Sequence, residues 1–166
     1  MNLHEAIRAR RTVHRFSVGP VAEEVVERAL AAAILAPNHK TTWPFRFVVP
    51  GPAARERLVQ VGMRLKSAKR GPSPELEQAV RADMATPDRL IVVAQVLASD
   101  PGRVEEDYAT CAAAVQNLLL SLTADGVGSK WGTGGPTRDP ETFEILGLDP
   151  ATHKIVAFVW AGVPAG

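Results

Sequence analysis

Arg10, Arg11 and Thr12 place two guanidinium groups and a hydroxyl group side by side near the start of the chain. A guanidinium group presents a planar fork of N–H donors that matches a phosphate, and a hydroxyl group adds a shorter contact. The three residues fall where a predicted helix over residues 2–10 ends, and arginines at that position can also complement the helix dipole. These residues alone therefore leave two interpretations open, a phosphate site and an ordinary helix end.

A second polar segment, Leu35–Phe47, joins a predicted helix to a predicted strand through a short loop that contains His39 and Trp43. Pro37 and Pro44 bound this loop, because each proline ring fixes φ and removes a backbone donor. A rigid turn that is rich in hydrogen-bonding groups and aromatic surface suits a flat heteroaromatic ligand. The same features also fit a plain helix-to-strand connection in which the tryptophan covers the core.

The third segment is Lys130–Gly134, with the sequence Lys-Trp-Gly-Thr-Gly. Its glycines permit a ligand to approach the backbone closely, which leaves N–H groups free to donate to an anion or a heterocycle. Because glycine-rich turns are common, this segment alone does not distinguish a binding loop from a turn.

The composition is that of a globular protein with one domain over residues 1–166. The chain has 166 residues, of which 46% are hydrophobic and 22% charged, so it can bury one core but hardly two. A net charge of +1 gives no general attraction to nucleic acid or to an anionic membrane. The single cysteine, Cys111, excludes an internal disulfide and a cysteine-based metal site. The sequence shows no secretory signal and no apolar stretch of membrane-spanning length, so we expect a cytoplasmic protein.

Common nucleotide-binding and hydrolase motifs are missing from the sequence. The glycine-rich stretch Gly126–Trp131 follows a predicted helix, whereas a dinucleotide-binding turn follows a strand. There is no Walker phosphate loop, no His-x-x-x-His pair and no Gly-x-Ser-x-Gly elbow. The sequence therefore gives no support for a hydrolase or a metalloenzyme.

Helices dominate the predicted secondary structure. The first helix, 2–10, begins with a capping box formed by Asn2 and Glu5. Further helices are predicted over 22–35, 53–66, 75–84, 104–124 and a short segment that ends near 146, and strands over 45–49, 90–97 and 155–161. The strand 90–97 is nearly all apolar, which is typical of burial on both faces. Residues 66–74 are predicted to form a surface loop.

The predicted helix 104–124 is apolar around most of its circumference. Its small residues, Ala109–Ala114, allow another backbone to approach closely. The pattern fits a buried core helix and a subunit interface equally well.

Taken in order, the three polar segments resemble the flavin-dependent nitroreductase family, in its short, minimal branch. The matching motifs are Arg10-Arg11-Thr12-x-x-Arg15-Phe16, Leu35-Ala36-Pro37-Asn38-His39-Lys40 with Trp43-Pro44-Phe45-Arg46-Phe47, and Ala114-x-Gln116-Asn117-Leu118 running to Ala124-x-Gly126-x-Gly128-x-x-Trp131-x-Thr133-Gly134. Together they span nearly the whole chain.

The resemblance implies an α+β fold with a mixed, mainly antiparallel sheet flanked by helices. It further implies a homodimer, formed through the 104–124 helix, that holds FMN without a covalent bond at the subunit interface. The residues implied to bind FMN are Arg10, Arg11 and Thr12 at the phosphate and ribityl chain, Pro37 and Asn38 beside the isoalloxazine, Leu35 and His39 reaching the flavin of the other subunit, and Lys130, Trp131, Gly132 and Thr133 as a second wall.

The implied activity is that of an NAD(P)H oxidoreductase that reduces electron-poor acceptors, such as nitroaromatics or quinones, by ping-pong hydride transfer through the flavin. No side chain must act as an acid or a base, and Lys130 and His39, followed by Lys40, are the best candidates for tuning the flavin. The alternatives are a flavin-dependent dehydrogenase or dehalogenase on the same scaffold, and a flavin carrier or sensor with little turnover.

The sequence departs from the family pattern in two places. Many members have Gln-Pro-Trp where this chain has Trp43-Pro44-Phe45, so the aromatic ring is displaced and the glutamine is absent. Family members usually continue past the last strand with a tail that wraps onto the partner subunit, whereas this sequence stops at Gly166.

Overall fold

The structure is a computed structural model that describes residues 1–165, and within them it contains six α-helices and five β-strands. The helices are α1 Leu3–Ala9, α2 Glu23–Ala33, α3 Pro52–Arg70, α4 Pro74–Met84, α5 Pro101–Ala124 and α6 Pro140–Leu146. The strands are β1 Phe16–Ser17, β2 Phe45–Val48, β3 Arg89–Val96, β4 Gly128–Gly132 and β5 His153–Pro164. Two short 3₁₀ turns, His39–Thr41 and Gly135–Arg138, lie in the connections.

The long strand β5 organises the sheet, since it pairs with β1, β3 and β4. Strand β2 pairs with the free side of β3, and every one of these strand pairs is antiparallel. One isolated parallel bridge joins Thr12 to Ser129. The predicted α+β fold with a mainly antiparallel sheet is confirmed.

Helices cover both faces of the sheet. Because successive side chains of a strand point to opposite faces, Ile91 and Val93 pack with α2 and α5, whereas Leu90 and Val92 pack with α3, α4 and α6. Strand β3 is therefore buried on both faces, as its apolar sequence predicts.

The helix starts follow local capping rules. Asn2 and Glu5 form the predicted capping box of α1, with the Asn2 side chain accepting from the Glu5 N–H at 3.0 Å. Helix α5 begins three residues earlier than predicted, because Asp100 caps it by accepting from the Arg103 N–H at 2.7 Å. Pro101 then occupies the first turn, where its missing N–H costs nothing.

The prediction of a surface loop that starts at residue 66 is wrong. Helix α3 continues to Arg70 and ends only at Gly71, whose φ of 78° lies in the left-handed region. The last turn of α3 is polar, so the apolar periodicity used for the prediction ends before the helix does. Helix α4 also buries more than its polar sequence indicates, since Leu76, Val80 and Met84 form a continuous buried stripe.

Strands β1 and β4 are absent from the sequence-based prediction, and β5 is longer than predicted. Strand β4 has the sequence Gly-Ser-Lys-Trp-Gly, which lacks the β-branched residues that favour strands. Pairing with the fully formed β5 outweighs this weak local preference. The glycine-rich segment is therefore a strand at Gly128–Gly132 and a loop only from Thr133 onward.

Within residues 1–165 the structure has no helix that is both long and apolar enough to cross a bilayer. The same residues contain no cluster of three or more His, Cys, Asp or Glu side chains placed to hold a metal ion.

Candidate functional site

The Arg10–Thr12 segment lies against strand β4. Thr12 bridges Ser129, and the Val13 N–H donates to the Ser129 carbonyl at 3.0 Å. Two of the three polar segments from the sequence are therefore neighbours in space, although about 120 residues separate them along the chain.

The cations of this segment are available to a ligand. The Arg11 guanidinium donates to the carbonyls of Arg8 and Arg10, at 3.0 Å for the latter. No carboxylate of residues 1–165 forms an ion pair with Arg10 or Arg11, and Arg11 and Thr12 are exposed. The buried Ser129 hydroxyl has no hydrogen-bond partner, but it faces the α2 and α5 layer, because Ser129 pairs with Ala161 of that core. Two guanidinium groups without a carboxylate partner, beside the exposed Thr12 hydroxyl, fit a dianionic phosphate.

Strand β4 directs its side chains to two different faces. Lys130 pairs with Trp160 and Gly132 with Phe158, so both face the α3 and α4 layer. Trp131 faces the α2 and α5 layer, where it packs against the core and its indole N–H donates to the Val156 carbonyl at 3.2 Å. The Trp131 side chain therefore lies away from the face that Lys130 and Gly132 line.

A cavity of about 360 Å³ opens on the Lys130 side of β4. Its apolar part is formed by Leu65, Met84, Phe158 and Trp160, and its glycine-rich wall by Gly132, Gly134 and Gly135. Phe158 and Trp160 contact each other edge to face, with ring centroids 5.9 Å apart. An apolar inner surface beside open backbone suits a flat ring system.

Lys130 is held in this cavity by Asp83 of α4. The Lys130 side chain is only 11% exposed and its ammonium group forms a close ion pair with the Asp83 carboxylate. Lys66 of α3 approaches the same carboxylate at 3.6 Å. Asp83 therefore joins α3, α4 and β4 at one point.

Replacement of Asp83 by Asn is expected to lower the free energy of unfolding by about 1–2 kcal/mol, because a mostly buried ammonium group loses its partner. Urea denaturation at pH 7 measures this change. The double variant Lys130→Met/Asp83→Asn should regain most of the loss. Asp125→Asn, which breaks the more exposed pair with Arg28 at 3.1 Å, is the matched control and should cost less. Equal losses in the two single variants would contradict this account of Asp83.

The loop between Leu35 and Trp43, which contains His39 and is called the His39 loop, is fixed by hydrogen bonds to the start of α5. His39 Nδ1 lies 2.9 Å from a Glu106 carboxylate oxygen, and the Thr42 hydroxyl donates to Asp107 at 2.6 Å. The hydrogen bond from His39 lowers the pKa of Glu106. Asn38 accepts from the Trp43 N–H and donates to the Thr42 hydroxyl, both at 3.3 Å.

The backbone of this loop is strained. Lys40, Thr41 and Trp43 have φ values of 58°, 50° and 48°, in the left-handed region that residues other than glycine seldom adopt. Such conformations persist only where neighbouring contacts hold them, and they cluster at functional sites. Leu35 and Trp43, at the two ends of the loop, are 79% and 57% exposed, and Pro37 is also exposed.

Within one chain, His39 and the Arg10–Thr12 segment lie at opposite ends of α5. His39 contacts Glu106 near the start of the helix, whereas the beginning of α1 packs near Ala124 at its end. Eighteen residues separate these positions, which is about 27 Å at 1.5 Å per residue. The structure thus brings Arg10–Thr12 close to Lys130 on β4, but it does not bring His39 to them. Leu35 instead lines a groove beside the start of α1 and the end of α5. Thr133 begins the loop beyond β4, and its carbonyl accepts from Arg138 at 3.3 Å.

Sequence reasoning missed Asp83, Lys66 and Ser129. Asp83 follows Val80 by three residues and therefore borders the buried stripe of α4, which is the one signal that could have shown it. Ser129 gave no signal, because its burial depends on the pairing of β4 with β5.

The sequence and the fold of the chain are similar to those of known proteins. A model described as the nitroreductase family matches residues 7–163. The Bacillus subtilis (strain 168) protein named "Putative NAD(P)H nitroreductase YfhC" is 29% identical over 165 residues, covering 98% of this chain and 84% of the relative. A nitroreductase-like family protein from Bacillus cereus has a TM-score of 0.84 at 26% identity, covering 100% of this chain and 87% of its own. A nitroreductase-type protein from Desulfovibrio desulfuricans, solved in complex with FMN, has a TM-score of 0.76 at 27% identity, covering 100% and 88%. The chain belongs to the nitroreductase family.

Proposed function

We propose that this protein is an FMN-dependent NAD(P)H oxidoreductase. The observation that carries the proposal is the Thr12–Ser129 bridge, which sets unpaired cations at one end of β4 while Lys130 and Gly132 line a cavity further along the same strand. From Ser129 to Gly132 the strand advances about 10 Å. A ligand with a phosphate group, an extended linker and a flat ring fits this arrangement, and the FMN complex of the Desulfovibrio desulfuricans relative supports the assignment.

Each residue has a distinct role in the proposed site. Arg10 and Arg11, with the hydroxyl group of Thr12, hold the phosphate. Gly132 and the glycines after it leave space beside the ring, and Lys130 supplies positive charge that Asp83 partly offsets. Bound FMN would supply the redox chemistry, taking hydride from a nicotinamide and passing electrons to an electron-poor acceptor such as a nitroaromatic or a quinone.

We further propose a homodimer that completes the site. An isologous dimer with antiparallel α5 helices places the start of one α5 beside the end of the other. His39 of one protomer then lies near Arg10–Thr12 of its partner, whereas about 27 Å along α5 separates the two within one chain. Exposed apolar side chains around α1 and α2 supply the surface for such contact, namely Leu3, Ile7, Ile34 and Leu35 at 64%, 50%, 44% and 79% exposure.

The test is reconstitution with FMN followed by NADH and NADPH oxidation with a quinone or a nitroaromatic acceptor under anaerobic conditions. We expect stoichiometric FMN binding and sustained nicotinamide consumption that requires the acceptor. Protein that binds FMN but consumes at most one equivalent of nicotinamide would be a carrier or sensor. Protein that cannot be loaded with FMN would overturn the proposal altogether.

A further inference from the structure

The cavity beside Lys130 is lined by many more cations than anions. Four cations, Lys66, Lys69, Arg70 and Lys130, contribute to its wall, but Asp83 is the one acidic residue among the described residues that line it. The net charge of the whole chain is only +1, so this local excess is not a general property of the protein.

Two of the four cations are uncompensated. Lys130 and Lys66 share the Asp83 carboxylate, whereas no carboxylate within residues 1–165 forms an ion pair with Lys69 or Arg70. Both lie in the last turn of α3 and are exposed at the cavity mouth. Cations at a helix C-terminus complement the helix dipole, but that role does not require a cavity beside them.

The inner surface of the same cavity is aromatic and apolar. Leu65, Met84, Phe158 and Trp160 contribute its lining, and Gly132 and Gly134 leave the backbone open. The flavin ring of the proposed function fits this inner surface. A second ligand is therefore met at the mouth, where Lys69 and Arg70 attract an acidic group.

We propose that the mouth of this cavity, beside the bound flavin, receives an electron acceptor bearing a carboxylate or another acidic group on an aromatic ring, with Lys69 and Arg70 as the residues that select it. This assignment rests on the proposed function, because Lys130 and Gly132 belong both to the cavity and to the proposed flavin site. It deepens that function by naming the charge class of the acceptor.

The experiment measures binding of 4-nitrobenzoate and of neutral 4-nitrobenzamide to the FMN-loaded protein by titration calorimetry at pH 7 and low salt. The two rings have nearly the same shape and differ in charge. With two partly exposed cations available, we expect the acid to bind about tenfold more tightly than the amide. The preference should shrink as salt is added, because screening weakens exposed charge pairs.

The variant Lys69→Gln/Arg70→Gln should bind the acid about tenfold more weakly and the amide with little change. The matched control, Arg28→Gln/Arg57→Gln, removes the same charge from positions that pair with Asp125 and Glu144 outside the cavity. It should keep the preference for the acid.

Equal affinity for acid and amide in the unmodified protein would overturn the inference, as would an equal loss in the control. A weaker NADPH interaction with unchanged acid binding in the Lys69/Arg70 variant would also overturn it, since the cations would then serve the donor. The proposed function fails separately. If the acid binds selectively but the FMN-loaded protein oxidises neither NADH nor NADPH with these compounds or with a quinone, the oxidoreductase assignment is wrong and the charge preference of the cavity stands.

Discussion

Replacement of Arg10 and Arg11 together by alanine is expected to weaken FMN binding by about 100-fold. Each guanidinium group would lose a charge-assisted contact to the phosphate, and such contacts are worth about 1.5–3 kcal/mol. We take the lower end of this range because Arg11 is exposed. Fluorescence titration of the protein with FMN measures the change, and riboflavin, which lacks the phosphate, should bind both forms with similar affinity.

Two further variants sharpen this result. Arg28→Ala/Arg57→Ala removes the same charge from exposed ion pairs elsewhere and should leave FMN affinity within about twofold, since such pairs act only locally at moderate salt. Arg10→Lys/Arg11→Lys should recover part of the affinity, because charge returns without the planar fork. Unchanged FMN affinity in the alanine variant would show that the phosphate lies elsewhere.

Leu35→Asp is expected to weaken the proposed dimer on the order of 1,000-fold. An isologous interface contains Leu35 from both protomers, so the substitution removes two buried leucine side chains. Each contributes about 1.5–3 kcal/mol to the free energy of association. In the isolated chain Leu35 is 79% exposed, so the substitution should not unfold the protomer. Analytical ultracentrifugation across a dilution series measures the dissociation constant, and thermal unfolding checks the fold.

Val18→Asp provides the control for this variant. Val18 is the most exposed of the large apolar side chains, at 93%, and lies outside the groove between α1, α2 and α5. The substitution introduces the same charge and should leave association unchanged. A dimer that survives Leu35→Asp with its FMN bound would rule out a shared site built on this loop.

The parts of the fold that local sequence determines were predictable. The capping box of α1 and the buried strand β3 follow from residue types at short range. Strands β1 and β4 could not be predicted in this way, because they form by pairing with β5, which lies far along the chain. Helix α3 extends beyond the residues that show an apolar helical pattern. Gly71 was therefore the one sequence signal for its end.

The segments that form the candidate site could be predicted from the sequence, but their arrangement in space could not. The sequence singles out Arg10–Thr12 and Lys130–Thr133, but the Thr12–Ser129 bridge that joins them is a long-range register. Because Lys130 and Trp131 are successive residues of a strand, their side chains face opposite sides of the sheet. The predicted loop would not have fixed these directions. The placement of individual side chains at the cofactor stays a prediction.

The length of α5 has a consequence for how the protein would behave on dilution. If half of each cofactor site comes from the far end of another molecule's helix, an isolated protomer holds only a partial site. Cofactor occupancy would then depend on protein concentration by mass action, and added FMN would in turn favour association. A solution that is yellow when concentrated would release free flavin when diluted below the dissociation constant of the dimer. Helix α5 would therefore couple redox competence to assembly through its length alone.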